Sequence, residues 1–220
     1  MKSRHLPALL AKISRLLALQ KKQGYVVGGF VRDLLLKRET NDIDIAVSGD
    51  AVTTAHKVAE EMGGKFVLLD DVNNVARVVV IEGAQRGKTS QDRGLRGAEW
   101  HFDFSSFGGD IRSDLARRDF TINAMALELS QFVTASAATK VSSRKSATHT
   151  AEKRFVLKLI DPFSGREDLR DKIVRRVSEQ IFEADAARLL RAVRLAAELD
   201  FIIESDTESL VRRHSQAITE

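Results

Sequence analysis

Two short segments constrain this chain more than any other part of it. In "DIDIAV" (42–47) and "HFDFSSF" (101–107), apolar and polar residues alternate one for one through Asp42–Ile45 and His101–Ser105. Such a pattern fits a β-strand and cannot form one face of a helix. Ile43 and Ile45 must then point to one side, with Asp42 and Asp44 on the other. In the second segment Phe102 and Phe104 enter a core, and His101, Asp103 and Ser105 face outward. Asp42 and Asp44 would stand about 7 Å apart on one pleated face. Like charges so close repel unless a cation or water receives them. A solvated edge strand and a divalent-metal site both satisfy that demand. Mg²⁺ takes hard oxygen ligands, commonly one or two carboxylates completed by substrate phosphates. If the two segments are neighbours, Asp103 joins the pair, and three carboxylates can serve two metals in an in-line displacement on a triphosphate.

The pattern changes character along the chain. Leu6, Leu9, Leu10, Ile13, Leu16 and Leu17 recur at helical spacing. "YVV" reads as a short strand entering Gly28-Gly29, "FVRDLLLKR" as a helix, and "DAVTTAHKVAEEM" as a helix with Asp50 at its N-cap and Gly63-Gly64 at its end. "KFVLLD" and "VARVVVIE" read as strands joined by the turn "DVNN". "RRDFTINAMALELS" starts as loop or helix and ends as strand, and "FVLKLIDP" is a further strand. From about Ser164 the apolar spacing is helical to the C-terminus, in "EADAARLLRAVRLAAEL" and "SDTESLVRRHSQAI". Two loops are basic, one with Arg86, Lys88, Arg93 and Arg96, the other with Lys140, Arg144, Lys145, Lys153 and Arg154. Either can meet RNA phosphates. The second, rich in Ser, Thr and Ala, lacks periodicity and suits a mobile loop.

Several residues outside the strands carry recognisable chemistry. Gly28-Gly29 before a helix lets the backbone approach a phosphate, and the helix N-terminus offers N–H groups to an anion. The same pair also suits an ordinary tight turn. Arg32, one turn in, can add a charged fork. Asp185 and Arg188, three apart, are expected to share one helix face. A surface ion pair is the plain reading of that spacing.

Taken in order, "GGFVRDLLL…DIDIA", "FDF", "RRDFTINAMA", "IDPFSGREDLRDKIVRRV" and "ADAARLLRAVRLAAELDF" resemble the head and neck of the tRNA nucleotidyltransferase and bacterial poly(A) polymerase family. This is the class II branch of the polymerase-β-like nucleotidyltransferases, and the resemblance covers nearly the whole chain. It implies that Gly28, Gly29 and Arg32 hold a triphosphate, and that Asp42 and Asp44 ligate Mg²⁺. Asp103 would be the third carboxylate and help activate a primer 3′-hydroxyl. Arg118, Asp119 and Asn123 would meet the nucleotide's sugar and phosphates. Asp119 equally suits a helix N-cap for "FTINAMA". Asp185 and Arg188 would form a protein template that reads a base's Watson–Crick edge. A carboxylate only accepts and a guanidinium only donates, which matches the amino group and ring acceptors of cytosine and adenine. Uracil and guanine would leave buried groups unpaired. Arg191 continues the face of Arg188, where it can contact phosphate or water. The family pattern at this helix is Glu-Asp-x-x-Arg, but position 184 is alanine, which puts nucleotide choice in question more than catalysis.

The resemblance therefore implies an α+β fold. A polymerase-β-like nucleotidyltransferase head with a mixed, twisted sheet of about five strands would span 1–163, and an all-helical neck 164–220. Its expected activity is metal-dependent transfer of CMP or AMP from CTP or ATP to the 3′ end of tRNA, with two Mg²⁺ ions and release of pyrophosphate. A poly(A) polymerase, a C-only or A-only enzyme, and a non-catalytic RNA- or nucleotide-binding module share parts of the pattern. Family members continue into further helical domains, so this chain is expected to be a fragment or a short member. The composition agrees with the resemblance. No cysteine is present among the 220 residues, so disulfides and thiolate zinc sites are excluded, as in a reducing cytoplasm. A net charge of +4 leans towards polyanions. No apolar run reaches the length of a membrane span.

Overall fold

The computed structural model describes residues 6–81, 98–133 and 157–215. The basic loop at 85–97, and the second one at 134–153 with Lys153 and Arg154, lie outside the described residues. Two compact units are formed. One comprises Met1–Val26, Glu39–Gly108 and Leu127–Lys158, and the other Val27–Arg38, Gly109–Ala126 and Leu159–Glu220.

The fold is mixed α/β around a seven-stranded mixed sheet. In the first unit the strands are β1 (Gly24–Val27), β2 (Asp42–Ser48), β3 (Lys65–Asp70), β4 (Val75–Ile81), β5 (Glu99–Phe107) and β6 (Ala126–Glu128). They lie side by side in the order β3-β4-β5-β2-β1-β6. β2 and β5 run parallel, while β4 is antiparallel to both β3 and β5. The two long helices described in this unit are α1 (Leu6–Leu19) and α3 (Ala51–Met62), the latter packed on β3, β4 and β5. Alternation does what the sequence requires of it. Ile43, Ile45, Phe102 and Phe104 are all buried in the core, with Leu10, Ile13 and Leu17 of α1 among its fully covered side chains.

Local chemistry fixes the ends of α3. Asp50, extended at the N-cap, accepts the Thr53 N–H at 3.0 Å. Asn74, from the β3–β4 turn, accepts the N–H groups of Ala51 at 2.7 Å and Val52 at 3.0 Å. The free N–H groups of the first turn thus find side-chain acceptors from two directions. After the helix, Gly64 lies so near β4 that an added Cβ would sit 2.7 Å from the Val79 carbonyl oxygen. The β3–β4 ladder shifts register between Leu68 and Asp70, a bulge at Leu69.

The second unit holds α2 (Gly28–Leu35), α4 (Ile111–Leu115), a 3₁₀ turn at Thr121–Asn123, β7 (Leu159–Ile160) and α5 (Gly165–Asp171). It continues with β8 (Ile173–Val174), α6 (Ile181–Ala184), α7 (Ala187–Leu199), β9 (Ile202–Ile203) and α8 (Ser205–His214). α2 and α5 both pack on the 3₁₀ turn. The approach of α5 leaves no room for a side chain, since a Cβ on Gly165 would lie 2.2 Å from the Thr121 carbonyl oxygen. Asp161 accepts the N–H groups of Gly165 at 2.7 Å and Arg166 at 2.9 Å, which starts α5.

Three details differ from the sequence reading. The sheet has seven strands rather than about five, and β6 and β7, three and two residues long, fall within the segments read as strand at the end of "RRDFTINAMALELS" and in "FVLKLIDP". The C-terminal region also carries the two-residue parallel pair β8 and β9. Strands so short show no alternation to read. Finally, "EADAARLLRAVRLAAEL" is interrupted, with Asp185 in an extended conformation between α6 and α7.

Candidate active site

In the first unit, register brings the outward-facing residues of three strands into one acidic face. Asp44 of β2 is paired with Asp103 of β5, and Asp103 with Arg77 of β4. Asp42 is paired with His101. Paired residues in a ladder project to the same side, so the alternation that buries Ile43 and Phe102 presents all five side chains together. Asp42, Asp44 and Asp103 are thus neighbours on one surface, as required for a shared role.

The repulsion among these carboxylates is answered by two bases. Arg77 grips Asp103 with a two-pronged fork, Nε to Oδ1 at 2.6 Å and Nη2 to Oδ2 at 2.7 Å. Its guanidinium is held above the usual arginine range, chiefly by the hydrogen bonds to Asp103 and also by the charges of Asp42 and Asp44. His101 lies between Glu99 (Nε2 to Oε1, 2.9 Å) and Asp42 (Nδ1 to Oδ1, 3.0 Å). The Glu99 bond is the largest influence and raises its pKa from the usual histidine value; burial opposes it, and the bond to Asp42 and the Asp42 charge add to the rise.

The donor set suits a hard cation only in part. Asp42 and Asp44 offer carboxylate oxygens of the kind Mg²⁺ prefers. Both oxygens of Asp103 are already engaged by Arg77. Among the described residues no three His, Asp or Glu side chains are assembled to hold a metal ion. A site of two carboxylates completed by water and phosphate fits; one of three carboxylates does not fit this arrangement.

The second unit gathers a separate group of sequence-predicted residues. Gly28 opens α2 at φ 68°, a left-handed conformation that favours glycine. The N-cap is Val27, whose apolar side chain makes no capping hydrogen bond. Such an end suits an anion. Arg32 donates from Nε to Asp33 Oδ1 and from Nη2 to Asp33 Oδ2, each at 3.0 Å, and from Nη1 to Asn123 Oδ1 at 2.9 Å. Asn123 reaches Asp119 at 3.4 Å. Asp119, 4% exposed, accepts the Phe120 N–H at 2.8 Å and Arg191 Nη1 at 2.7 Å. A continuous chain of polar contacts therefore links Arg191, Asp119, Asn123, Arg32 and Asp33. Asp119 accepts the N–H of the adjacent Phe120 and is not the N-cap of the 3₁₀ turn, which is Phe120 and has no side-chain capping bond, while Arg191 spends its nearest donor on a buried carboxylate.

Arg118 stands apart from this chain, its fork on Asp114 Oδ2 at 3.2 and 3.1 Å. Asp185 and Arg188 do meet, but not as partners on a helix face. Asp185 precedes α7 and accepts the Ala187 N–H at 2.9 Å. Its other oxygen lies 3.7 Å from Arg188 Nε. The carboxylate takes the first N–H of α7, whose N-cap is Ala186, and the backbone is extended at Asp185 where apolar periodicity shows no break.

The sequence profile of the poly A polymerase head domain matches residues 24–175. The chain belongs to this family. A CC-adding tRNA nucleotidyltransferase of Geobacter sulfurreducens is 35% identical over 211 residues, or 96% of this chain and 39% of the relative. Among solved structures, the CCA-adding enzyme of Thermotoga maritima complexed with tRNA superposes with a TM-score of 0.69 at 32% identity, over 96% of this chain and 42% of that one. A CCA-adding enzyme in complex with ATP gives 0.71 at 31% identity, over 98% and 43%. The chain spans about two fifths of the length of these relatives. The part matched by the poly A polymerase head profile contains Gly28 to Asn123 and stops short of Asp185, Arg188 and Arg191.

Sequence reasoning missed Arg77 and gave His101 no task. A signal for Arg77 was present. It is the one charged residue in the apolar run "VARVVVI", and strand alternation assigns it to a single face.

Proposed function

We propose that this chain carries the nucleotidyl-transfer chemistry of a tRNA nucleotidyltransferase, adding CMP, AMP or both from CTP or ATP to an RNA 3′ end, most concretely that of tRNA. The carrying observation is the adjacency of Asp42 and Asp44 to the β5 carboxylate on one face of a chain of this family. In this reading residues 1–163 act as the catalytic head and 164–220 as the neck that selects the base.

Asp42 and Asp44 would hold Mg²⁺. When bound, that ion neutralises the triphosphate and favours attack of the 3′-hydroxyl on the α-phosphate, with pyrophosphate leaving. The other steps fall to the chain's own groups. The N-terminus of α2 at Gly28 and Gly29, with Arg32, receives triphosphate oxygens. Arg118, Asp119 and Asn123 bind sugar and phosphate, and the hold of Asp119 on Arg191 fixes the side chains around it. Asp185 accepts the exocyclic amino group of cytosine or adenine, and Arg188 donates to the ring acceptors, so uracil and guanine are refused.

The test is incubation of a tRNA lacking its terminal CCA with Mg²⁺ and CTP, ATP, UTP or GTP, singly and in pairs. Incorporation of C, A or both, and not of U or G, is expected. Asp42→Asn and Asp44→Asn should each reduce it at least about 100-fold with folding intact. The single-nucleotide arms separate CCA, CC-only, A-only and poly(A) activities. A folded protein that binds RNA or nucleotide but incorporates none overturns the proposal in favour of a non-catalytic binding module.

A further inference from the structure

We propose that Arg77 is a resident cation of the acidic face. It keeps Asp103 out of metal coordination, so the divalent ion is held by Asp42 and Asp44 and completed by the nucleotide's own phosphates. This rests on the metal reading of Asp42 and Asp44 given above and assigns Arg77 a positioning role within it.

Three observations carry the inference. Arg77, Asp103 and Asp44 form one row across β4, β5 and β2, so the guanidinium is placed by two consecutive ladder pairings rather than by a loop. The fork uses both oxygens of Asp103 at 2.6 and 2.7 Å, so any metal would have to share each oxygen with a bound guanidinium, which weakens that carboxylate as a ligand. The pair is also partly shielded, with side-chain exposures of 32% for Arg77 and 23% for Asp103, so water competes less than on an open surface. The guanidinium further feels the charges of Asp42 and Asp44.

The consequence is an order of events. Three carboxylates alone would make a strong trap for a bare divalent ion. With Arg77 in place the face carries one less negative charge and one fewer ligand, so it discriminates against the naked ion. A metal–triphosphate complex supplies both missing terms, because its phosphate oxygens complete the coordination shell and its negative charge offsets the repulsion from Arg77. The site therefore favours the ion arriving with its nucleotide.

The experiment measures binding of Mn²⁺ alone, without nucleotide, by titration with electron paramagnetic resonance of the free ion, with melting curves to establish folding. Arg77→Met keeps the aliphatic stem and removes the charge. It should bind Mn²⁺ about tenfold more tightly than the unaltered chain. Arg77→Gln repeats the comparison with a polar side chain. In Arg77→Met/Asp103→Asn the removed charges cancel, and affinity should return to within about threefold of the starting value. Equal or weaker binding by both single variants overturns the proposal. So does a loss of tenfold or more in the double variant, because Asp103 would then be a ligand that Arg77 merely aims. Asp42→Asn/Asp44→Asn separates the two levels. If that pair binds Mn²⁺ as well as the unaltered chain, the metal reading itself fails, whatever Arg77 does.

Discussion

Replacing Arg191 with alanine offers a quantitative test of the polar chain in the second unit. Asp119 is 4% exposed and has three partners: the Phe120 N–H at 2.8 Å, Arg191 at 2.7 Å, and Asn123 at a weak 3.4 Å. Removing the guanidinium leaves a buried carboxylate with one good donor. Breaking a fully buried pair costs about 3–5 kcal/mol, and a solvated pair at most about 1. The Arg191 side chain is 44% exposed, which places the pair between those limits. The expected cost is about 2 kcal/mol, the range of a hydrogen bond to a charged group. For a chain of this size that lowers the melting temperature by about 4–8 °C. Urea unfolding followed by circular dichroism measures it, with an unchanged m-value as the check on interpretation. Asp119→Asn in the same background should recover most of the loss, giving a coupling energy of about 1 kcal/mol or more. A loss under about 0.5 kcal/mol for Arg191→Ala, with no coupling to Asp119, would refute the reasoning and make Arg191 an ordinary surface arginine.

Gly165→Ala should destabilise by more than 2 kcal/mol in the same urea assay, because the new Cβ meets a backbone carbonyl at 2.2 Å and not a side chain able to turn aside. Asp50→Ala removes the acceptor for the Thr53 N–H and should cost about 1 kcal/mol, whereas Asp50→Ser should recover most of that. The raised pKa of His101 gives a pH dependence with a definite sign. Its contribution is fully present below the unfolded value of about 6.5 and is lost as pH rises through the higher folded value. Melting temperatures of the unaltered chain and His101→Gln, taken in a chelating buffer, should therefore differ most in acid and converge as the pH rises past neutrality. A constant difference across that window would count against the ion pairs with Glu99 and Asp42.

What could be read from the sequence follows the length of each signal. Seven residues in β2 and nine in β5 give enough alternation to place Asp42, Asp44 and Asp103 on a face before any pairing is known. Asp50 and the Gly63-Gly64 end of α3 were legible because caps depend on local chemistry. Two-residue strands such as β8 and β9 exist only through their partners, so nothing along the chain announces them. The same holds for side-chain commitments. Helical periodicity put Asp185 on a helix, but its backbone is extended and its carboxylate finds the Ala187 N–H instead. Arg191 was equally suited to phosphate or solvent until Asp119, 72 residues away in sequence, claimed it. The fork between Arg77 and Asp103 depends on an antiparallel register that no local pattern encodes.

The bulge at Leu69 also bears on what the outer edge of the sheet offers to a second molecule. Among the described residues β3 is the outermost strand on its side of the sheet, and Leu68 and Leu69 are exposed there. A straight, greasy border of this kind is a template on which a second molecule can extend the sheet. The register shift kinks that border and leaves its backbone groups out of step with any partner strand. Deleting Leu69 would straighten it, and the altered chain should turn cloudy at concentrations where the original stays clear.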